Sequence, residues 1–154
     1  MKVGVWEGED GFARALEGLL PGGTIVSRHP AAFSERTLEL LLVSPGASGW
    51  AGAGTVACRT VLLPGAAMSL ARILRTEHAV SYGSAPRDTL TFSSLEEGHI
   101  SIALQREVET ITGRTVERQE FRLPLPQGVS PYHVLALAGA RILLTGSPRN
   151  GDNT

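Results

Sequence analysis

Apolar residues come in short bursts along the first half of the chain, and their spacing switches between two periods. Lys2 to Trp6 sets Val3 and Val5 against small or polar neighbours, the two-residue period of a strand. Phe12, Leu16, Leu19 and Leu20 stand at i, i+4, i+7 and i+8, which gathers them on one helical face. Asp10 is placed to cap that helix near Gly11, and Pro21-Gly22-Gly23 stops it. Thr24 to Ser27 reads as a second short strand, and Ser34 to Glu39 as a helical turn or two capped by Ser34. Leu40 to Val43 is apolar throughout, as in a strand covered on both faces. Gly46 to Thr55 carries four glycines and reads as a loop. Val56 to Leu63 is a strand, Ala66 to Arg75 a helix with a wide apolar stripe, and His78 to Tyr82 a fifth strand. Strand and helix thus alternate over residues 1–83. The spacing predicts a Rossmann-like parallel sheet covered by helices.

After Gly83 the period changes. Leu90 and Phe92 alternate, Glu96-Glu97-Gly98 makes a turn, and Ile100, Ile102 and Leu104 alternate again. Val108 to Ile111 and Thr115 to Leu123 flank Thr112-Gly113-Arg114, a predicted hairpin. The pattern is an antiparallel meander with one wet face, ended by Pro124 and Pro126. Ser130 then caps a helix that has Pro131 at its first position and runs to about Leu144, with Gly146 as its stop. The expectation is one α/β domain over residues 1–146, in which 84–146 adds a meander and a C-terminal helix. Residues 147–154 are expected to be a disordered polar tail.

Composition narrows the function classes. Hydrophobic residues make up 42% and charged residues 19%, enough apolar material for a core. The formal net charge of −1 supplies no global basic field, so neither nucleic acid nor an anionic membrane is an expected partner. No apolar run approaches the roughly 20 residues that span a bilayer, and no apolar leader follows Met1-Lys2. The single cysteine, Cys58, leaves no intrachain disulfide, so a cytoplasmic setting is expected.

Candidate chemistry is sparse. Gly8 and Gly11 supply the last two glycines of a dinucleotide fingerprint, but Trp6 stands where the first belongs. Glu7, Glu9 and Asp10 fill the turn and would repel phosphate, so a solvated loop with a helix cap is the better reading. Gly49 to Thr55 has glycine spacing like a phosphate loop, yet lacks its lysine. A lid or partner-binding loop carrying Trp50 is one expectation there, and a plain linker the other. His29, Ser44 and Asp88 contain the residue types of a hydrolytic triad, but no serine sits in a G-x-S-x-G elbow. No two histidines have metal-ligand spacing, and Cys58 lies in an apolar run, so neither a metal site nor a nucleophilic thiol is expected. The strongest cluster lies at strand carboxyl ends, where open α/β sheets bind ligands. His29, Ser44, Tyr82, Ser84, Arg87 and Asp88 are the candidate ligand-binding residues. Arg87 could grip a phosphate or carboxylate; alternatively, it pairs with Asp88 and shapes the turn.

Two stretches also carry a family likeness. Val80-Ser81-Tyr82-Gly83, then Leu123 to Gly128 leading into Tyr132-His133-Val134-Leu135-Ala136-Leu137-Ala138, resemble the later part of the central ATP-binding domain of Mur-type peptide ligases. That resemblance covers about 65 residues and implies a nucleotide-linked transferase or ligase. The chain departs from it at Val134, where the family's asparagine follows histidine, and has no Gly-Lys-Thr loop. The chain as a whole also resembles small proteins of spore-forming bacteria, a likeness that implies no activity. Two functions follow as expectations. The first is a non-catalytic module that binds a small anion or a protein partner, and the second is the ligase-like enzyme. Homodimerisation through the hairpin region is a third possibility, opposed by the charges at Arg106, Glu107, Glu109, Arg118 and Glu120.

Overall fold

The computed structural model describes residues 2–34, 36–49 and 52–149. Trp50 and residues 150–154, for which a lid and a disordered tail are expected, lie outside them. The eight strands of the main sheet are β1 (Val3–Trp6), β2 (Ile25–Ser27), β3 (Thr37–Val43), β4 (Ala57–Pro64), β5 (Arg75–Gly83), β6 (Leu90–Glu96), β7 (His99–Leu104) and β10 (Gln119–Pro124). Their spatial order is β10-β7-β6-β5-β4-β3-β1-β2. From β2 to β6 every pairing is parallel, while β6–β7 and β7–β10 are antiparallel. The fold is therefore the mixed α/β class read from the periodicity. Within it the first five strands take the order 2-1-3-4-5, a common doubly wound order.

Alternation along the central strands builds two cores. Leu40 and Leu42 of β3, Leu62 of β4 and Val3 and Val5 of β1 face one side; Leu41, Val43, Val61, Leu63 and Trp6 face the other. The first side is covered by α3 (Pro131–Thr145), which buries eight residues from Val134 to Leu143. At roughly 1.5–3 kcal/mol for each large apolar side chain, this helix is the main clamp on the sheet. Ser130 Oγ accepts the Tyr132 N–H at 3.2 Å, so the predicted cap forms, and Gly146 ends the helix.

The other helices are shorter than the periodicity suggests. The stripe Phe12–Leu20 forms only one helical turn, α1 (Phe12–Ala15), because Gly18 turns left-handed at φ 90°. Phe12 and Leu16 are still fully buried. The helical turn expected from Ser34 lies earlier, at Pro30–Phe33, and Ser34 closes it by donating to the Ala31 carbonyl. The expected helix 66–75 becomes a 3-10 turn (Gly65–Ala67) running into α2 (Met68–Ile73), after which Arg75 already belongs to β5.

The two halves join in an unusual way. β6 pairs with β5 only through Tyr82–Leu90 and Gly83–Thr91. The chain steps sideways through residues 84–89 and continues in the same direction. Phe92–Glu96 therefore run about 16 Å past the end of β5, at roughly 3.3 Å per residue. The predicted hairpin splits. β8 (Val108–Glu109) and β9 (Thr115–Val116) form a separate two-stranded piece, and residues 119–124 pair with β7 instead. That piece sits at the amino ends of the strands, where Arg59 meets Glu109 at 2.5 Å and the Ile111 N–H donates to the Leu143 carbonyl at 3.0 Å. Of the expected tail, Pro148 is buried and the Arg149 guanidinium donates to the Arg122 carbonyl at 3.3 Å.

Candidate functional site

In a 2-1-3-4-5 sheet the neighbours β1 and β3 have connections leaving in opposite directions, and the crevice between their carboxyl ends is the natural ligand position. This crest is built from the loops after β1 and β3 and from the first turn of α3. A cavity of about 490 Å³ opens there, lined by Asp10, Pro45, Gly46, Gly128, Ser130 and His133, among others.

Backbone N–H groups at such a crest are the usual seats for phosphate. Here the chain's own side chains occupy them. The Glu7 carboxylate accepts from the N–H groups of Asp10 and Gly11, both at 3.1 Å, and of Ala13 at 2.8 Å. Glu7 thus performs the capping expected of Asp10. The Asp10 carboxylate instead accepts the Gly46 N–H at 2.9 Å, across the crevice. Ser44 Oγ accepts the Gly8 N–H at 2.8 Å. Gly8 must be glycine, since a Cβ there would lie 2.1 Å from the Gly46 carbonyl carbon. These contacts lace the β1 and β3 loops together.

Tyr82 completes the unit. Its ring reaches from β5 past the end of β4, and its hydroxyl donates to the Val43 carbonyl at 2.7 Å. Burial raises the phenol's pKa well above its ordinary value, and the negative charge of Asp10 raises it further. Tyr82 is therefore a neutral donor that fixes the end of β3, one residue before Ser44. Of the six predicted site residues, Ser44 and Tyr82 are the two brought together here.

The other four lie elsewhere. Asp88 is 1% exposed, with its carboxylate wedged between Gly65 and Gly83, where added Cβ atoms would come within 2.1 and 2.6 Å of its oxygens. One oxygen accepts the Ala85 N–H at 3.0 Å, and the other has no partner among the described residues. Asp88 plugs the ends of β4 and β5 as Glu7 plugs the end of β1. Ser84 is exposed and receives the Tyr132 hydroxyl at 3.2 Å. Arg87 is exposed and forms no ion pair with Asp88; only its carbonyl is held, by the Arg106 guanidinium at 2.9 Å. His29 is exposed beyond the edge strand β2, four strand spacings from β5, or roughly 19 Å. Among the described residues no hydrogen bond joins any two of His29, Ser44 and Asp88.

Sequence reasoning missed Glu7 and Asp10 as crest ligands of the backbone. It also missed a second concavity of about 610 Å³ between β10 and α3, apolar and edged by arginines. The signal for the first was present in the three carboxylates among the glycines of residues 7–11. For the second it was half-buried Leu137 with Arg141, beside the core residues Val134 and Ala138 of α3.

No group of three or more His, Cys, Asp or Glu side chains among the described residues is arranged to hold a metal ion. Cys58 is buried, and that burial raises its thiol pKa, the reverse of an activated nucleophile. Among the described residues no helix is long and apolar enough to cross a membrane. Compared with protein-family models, curated proteins and solved structures, the chain matches none. The segments that carry the Mur-type likeness end β5 and open α3 in the fold.

Proposed function

We propose that this chain is a non-catalytic binding module, cytoplasmic in setting, which holds a protein partner rather than a small anion. The observation that carries this reading is the Glu7 carboxylate, which takes three backbone N–H groups at the turn where a nucleotide phosphate would sit. An incoming phosphate would have to displace a charge-assisted contact and meet Asp10 beside it. Ser44 and Tyr82 are both spent on backbone partners, so neither is free to act as nucleophile or acid.

Thermal unfolding with ATP, other nucleotides, nucleotide sugars and sugar phosphates at millimolar concentration tests the reading. A ligand present at 100 times its Kd would add about 2.7 kcal/mol. That corresponds to a rise in Tm of several degrees for a chain of this size. The expected outcome is no such rise. A shift of several degrees with ATP or a nucleotide sugar would replace this reading with the ligase-like one.

A further inference from the structure

β6 lies between β5 and β7, but it starts beside Tyr82 and so covers only the last two residues of β5. Before that point β5 has β4 on one side and no strand on the other. The Arg75 N–H donates to the Val56 carbonyl at 3.0 Å. Successive residues of a parallel ladder point their main-chain groups to opposite edges. Arg75, Glu77 and Ala79 therefore face β4, while Thr76, His78 and Val80 turn their N–H and carbonyl groups the other way. Among the described residues that row holds one hydrogen bond, from the Thr76 hydroxyl to the His78 carbonyl at 3.1 Å.

Across the gap runs the continuation of β7. The Gln105 N–H donates to the Thr89 carbonyl at 2.8 Å, and the chain then passes on to β8. With β6 absent, two strand spacings, roughly 9–10 Å, separate the two runs. A cavity of about 380 Å³ fills the interval, with residues 77–80 on one wall, 106–109 on the other and Thr89 at the end where β6 begins. The gap is thus one strand wide and bounded on both sides. The chain's own turn at 84–89 stays out of it, because the Gln105 amide holds the Asp88 carbonyl at 2.6 Å and the Arg106 guanidinium the Arg87 carbonyl at 2.9 Å. The walls carry Glu77, Glu107 and Glu109 against the one guanidinium of Arg106. Arg106 also donates to the Thr89 hydroxyl at 3.3 Å, and Glu109 pairs with Arg59 at 2.5 Å. Glu77 and Glu107, one on each wall, are exposed and form no ion pair among the described residues. The charge left over is negative.

We propose that this gap takes an extended basic segment of a partner protein as an inserted strand. This rests on the partner-binding reading and names the partner's chemistry. The segment's main chain bonds Thr76, His78 and Val80, one of its N–H groups replacing the Thr76 hydroxyl on the His78 carbonyl. Its Lys or Arg side chains meet Glu77 and Glu107. Insertion prolongs the line of β6 backwards and joins β5 to the continuation of β7 along its whole length. An acidic segment would instead bring like charge against both carboxylates.

Two capped octapeptides, one alternating Lys and Val and the other Glu and Val, serve as probes against isotope-labelled full-length chain. In the chain alone the Thr76, His78 and Val80 amides should exchange fast and those of Glu77 and Ala79 slowly, since only the second set bonds β4. The Lys peptide is expected to slow the first set, to move the amide signals of residues 106–109, and to bind at least about tenfold more tightly than the Glu peptide. Glu77→Lys combined with Glu107→Lys should invert that preference while the chain stays folded, since both side chains are exposed and unpaired. Four results overturn the proposal: slow exchange of the Thr76, His78 and Val80 amides in the monomeric chain alone; equal binding of the two peptides; Lys peptide bound with those amides still exchanging fast, which is ion pairing without a strand; or a dimer by sedimentation that protects them. The first result needs no variant and no ligand. If the peptide fails and nucleotides also leave Tm unchanged, only the assignment of the gap falls. A nucleotide shift would instead remove the reading beneath it.

Discussion

The crest of the parallel strands and the free edge at β10 both expose backbone that the sheet itself does not satisfy, and the chain treats them in opposite ways. At the crest, Glu7, Asp10, Ser44 and Tyr82 each bond a main-chain group of the β1 or β3 ends, and Asp88 fills the gap after β4 and β5. At the edge, one exposed guanidinium touches one carbonyl. Burial explains the difference. The Tyr82 contact is buried, and those of Ser44 and Glu7 to Gly8, Asp10 and Ala13 are half-buried. An unpaired polar atom there costs up to about 1–3 kcal/mol, whereas the Arg149 contact at the edge is exposed and water can replace it. The backbone N–H groups of Gly8, Asp10, Gly11, Ala13 and Gly46 at the usual ligand position of this fold are thus taken by the chain's own side chains, beside a cavity of about 490 Å³. Further hydrogen-bonding capacity, beside apolar surface, lies at the far end of the sheet.

If the crest is a closed unit, the largest effect comes from forcing it apart. Gly8→Ala places a Cβ 2.1 Å from the Gly46 carbonyl carbon and 2.4 Å from both the Gly46 oxygen and the Ala47 nitrogen. These are backbone atoms, so the two loops must separate, which breaks the Ser44 contact. The expected loss is about 3–5 kcal/mol, and Tm should fall by about 10 °C or more in urea and thermal melts. Gly65→Ala should cost less, since the atom in the way is the Asp88 carboxylate, a side-chain end. A Gly8→Ala chain as stable as the parent would mean that the loops slide freely, and the crest would return as a ligand site.

How much of this was legible in advance differs between the same two regions. The continuous apolar run Leu40–Val43 and the Ser130-Pro131 start of α3 gave their elements directly, because run length and capping are local. The one-turn α1 was not legible: Phe12, Leu16, Leu19 and Leu20 have helical spacing whether or not Gly18 turns left-handed. The pairing of β10 with β7 was hidden because register depends on partners far along the chain. At the crest, polar residues at strand ends were visible, but not their targets. Ser44 and Gly8 are 36 positions apart, and only the fold brings them together. Arg87 drew notice as a guanidinium near other polar groups, yet the turn that holds it points its charge to solvent. The edge groove left only Leu137 and Arg141, beside the core positions of α3, as its trace.

An intermediate effect separates the two regions by pH. Tyr82 and Cys58 are both buried acids that are neutral when protonated, and burial raises the pKa of each in the folded state. The folded chain therefore holds these protons longer than the unfolded chain. The stability they contribute is fully present below the unfolded values, near 10 and 8.5, and is lost as pH rises through the folded ones. Each group adds a slope of up to about 1.4 kcal/mol per pH unit above its unfolded value. Tyr82→Phe should cost about 1 kcal/mol at pH 7, where the Val43 carbonyl loses its donor, yet flatten the alkaline limb. Urea midpoints at pH 7, 9 and 11 give both numbers. An unchanged alkaline slope would mean that Tyr82 reaches solvent and the crest is open.

The smallest effects give the finest contrast. Glu7→Ala removes a carboxylate from three N–H groups on an intermediate-burial turn, and should cost about 1 kcal/mol, as a lost helix cap does. Arg149→Ala removes the matching contact at the edge. It should stay within about 0.5 kcal/mol of the parent, because water replaces an exposed donor at 3.3 Å. Hydrogen exchange reads the same contrast without relying on small energies. The Gly8 and Gly46 amides should exchange slowly in the parent and faster in Glu7→Ala, since that substitution loosens the loop both belong to. Amides of β10 that face away from β7 should exchange fast in the parent and in Arg149→Ala alike. If Arg149→Ala proves as costly as Glu7→Ala, the edge is a sealed element of the fold like the crest.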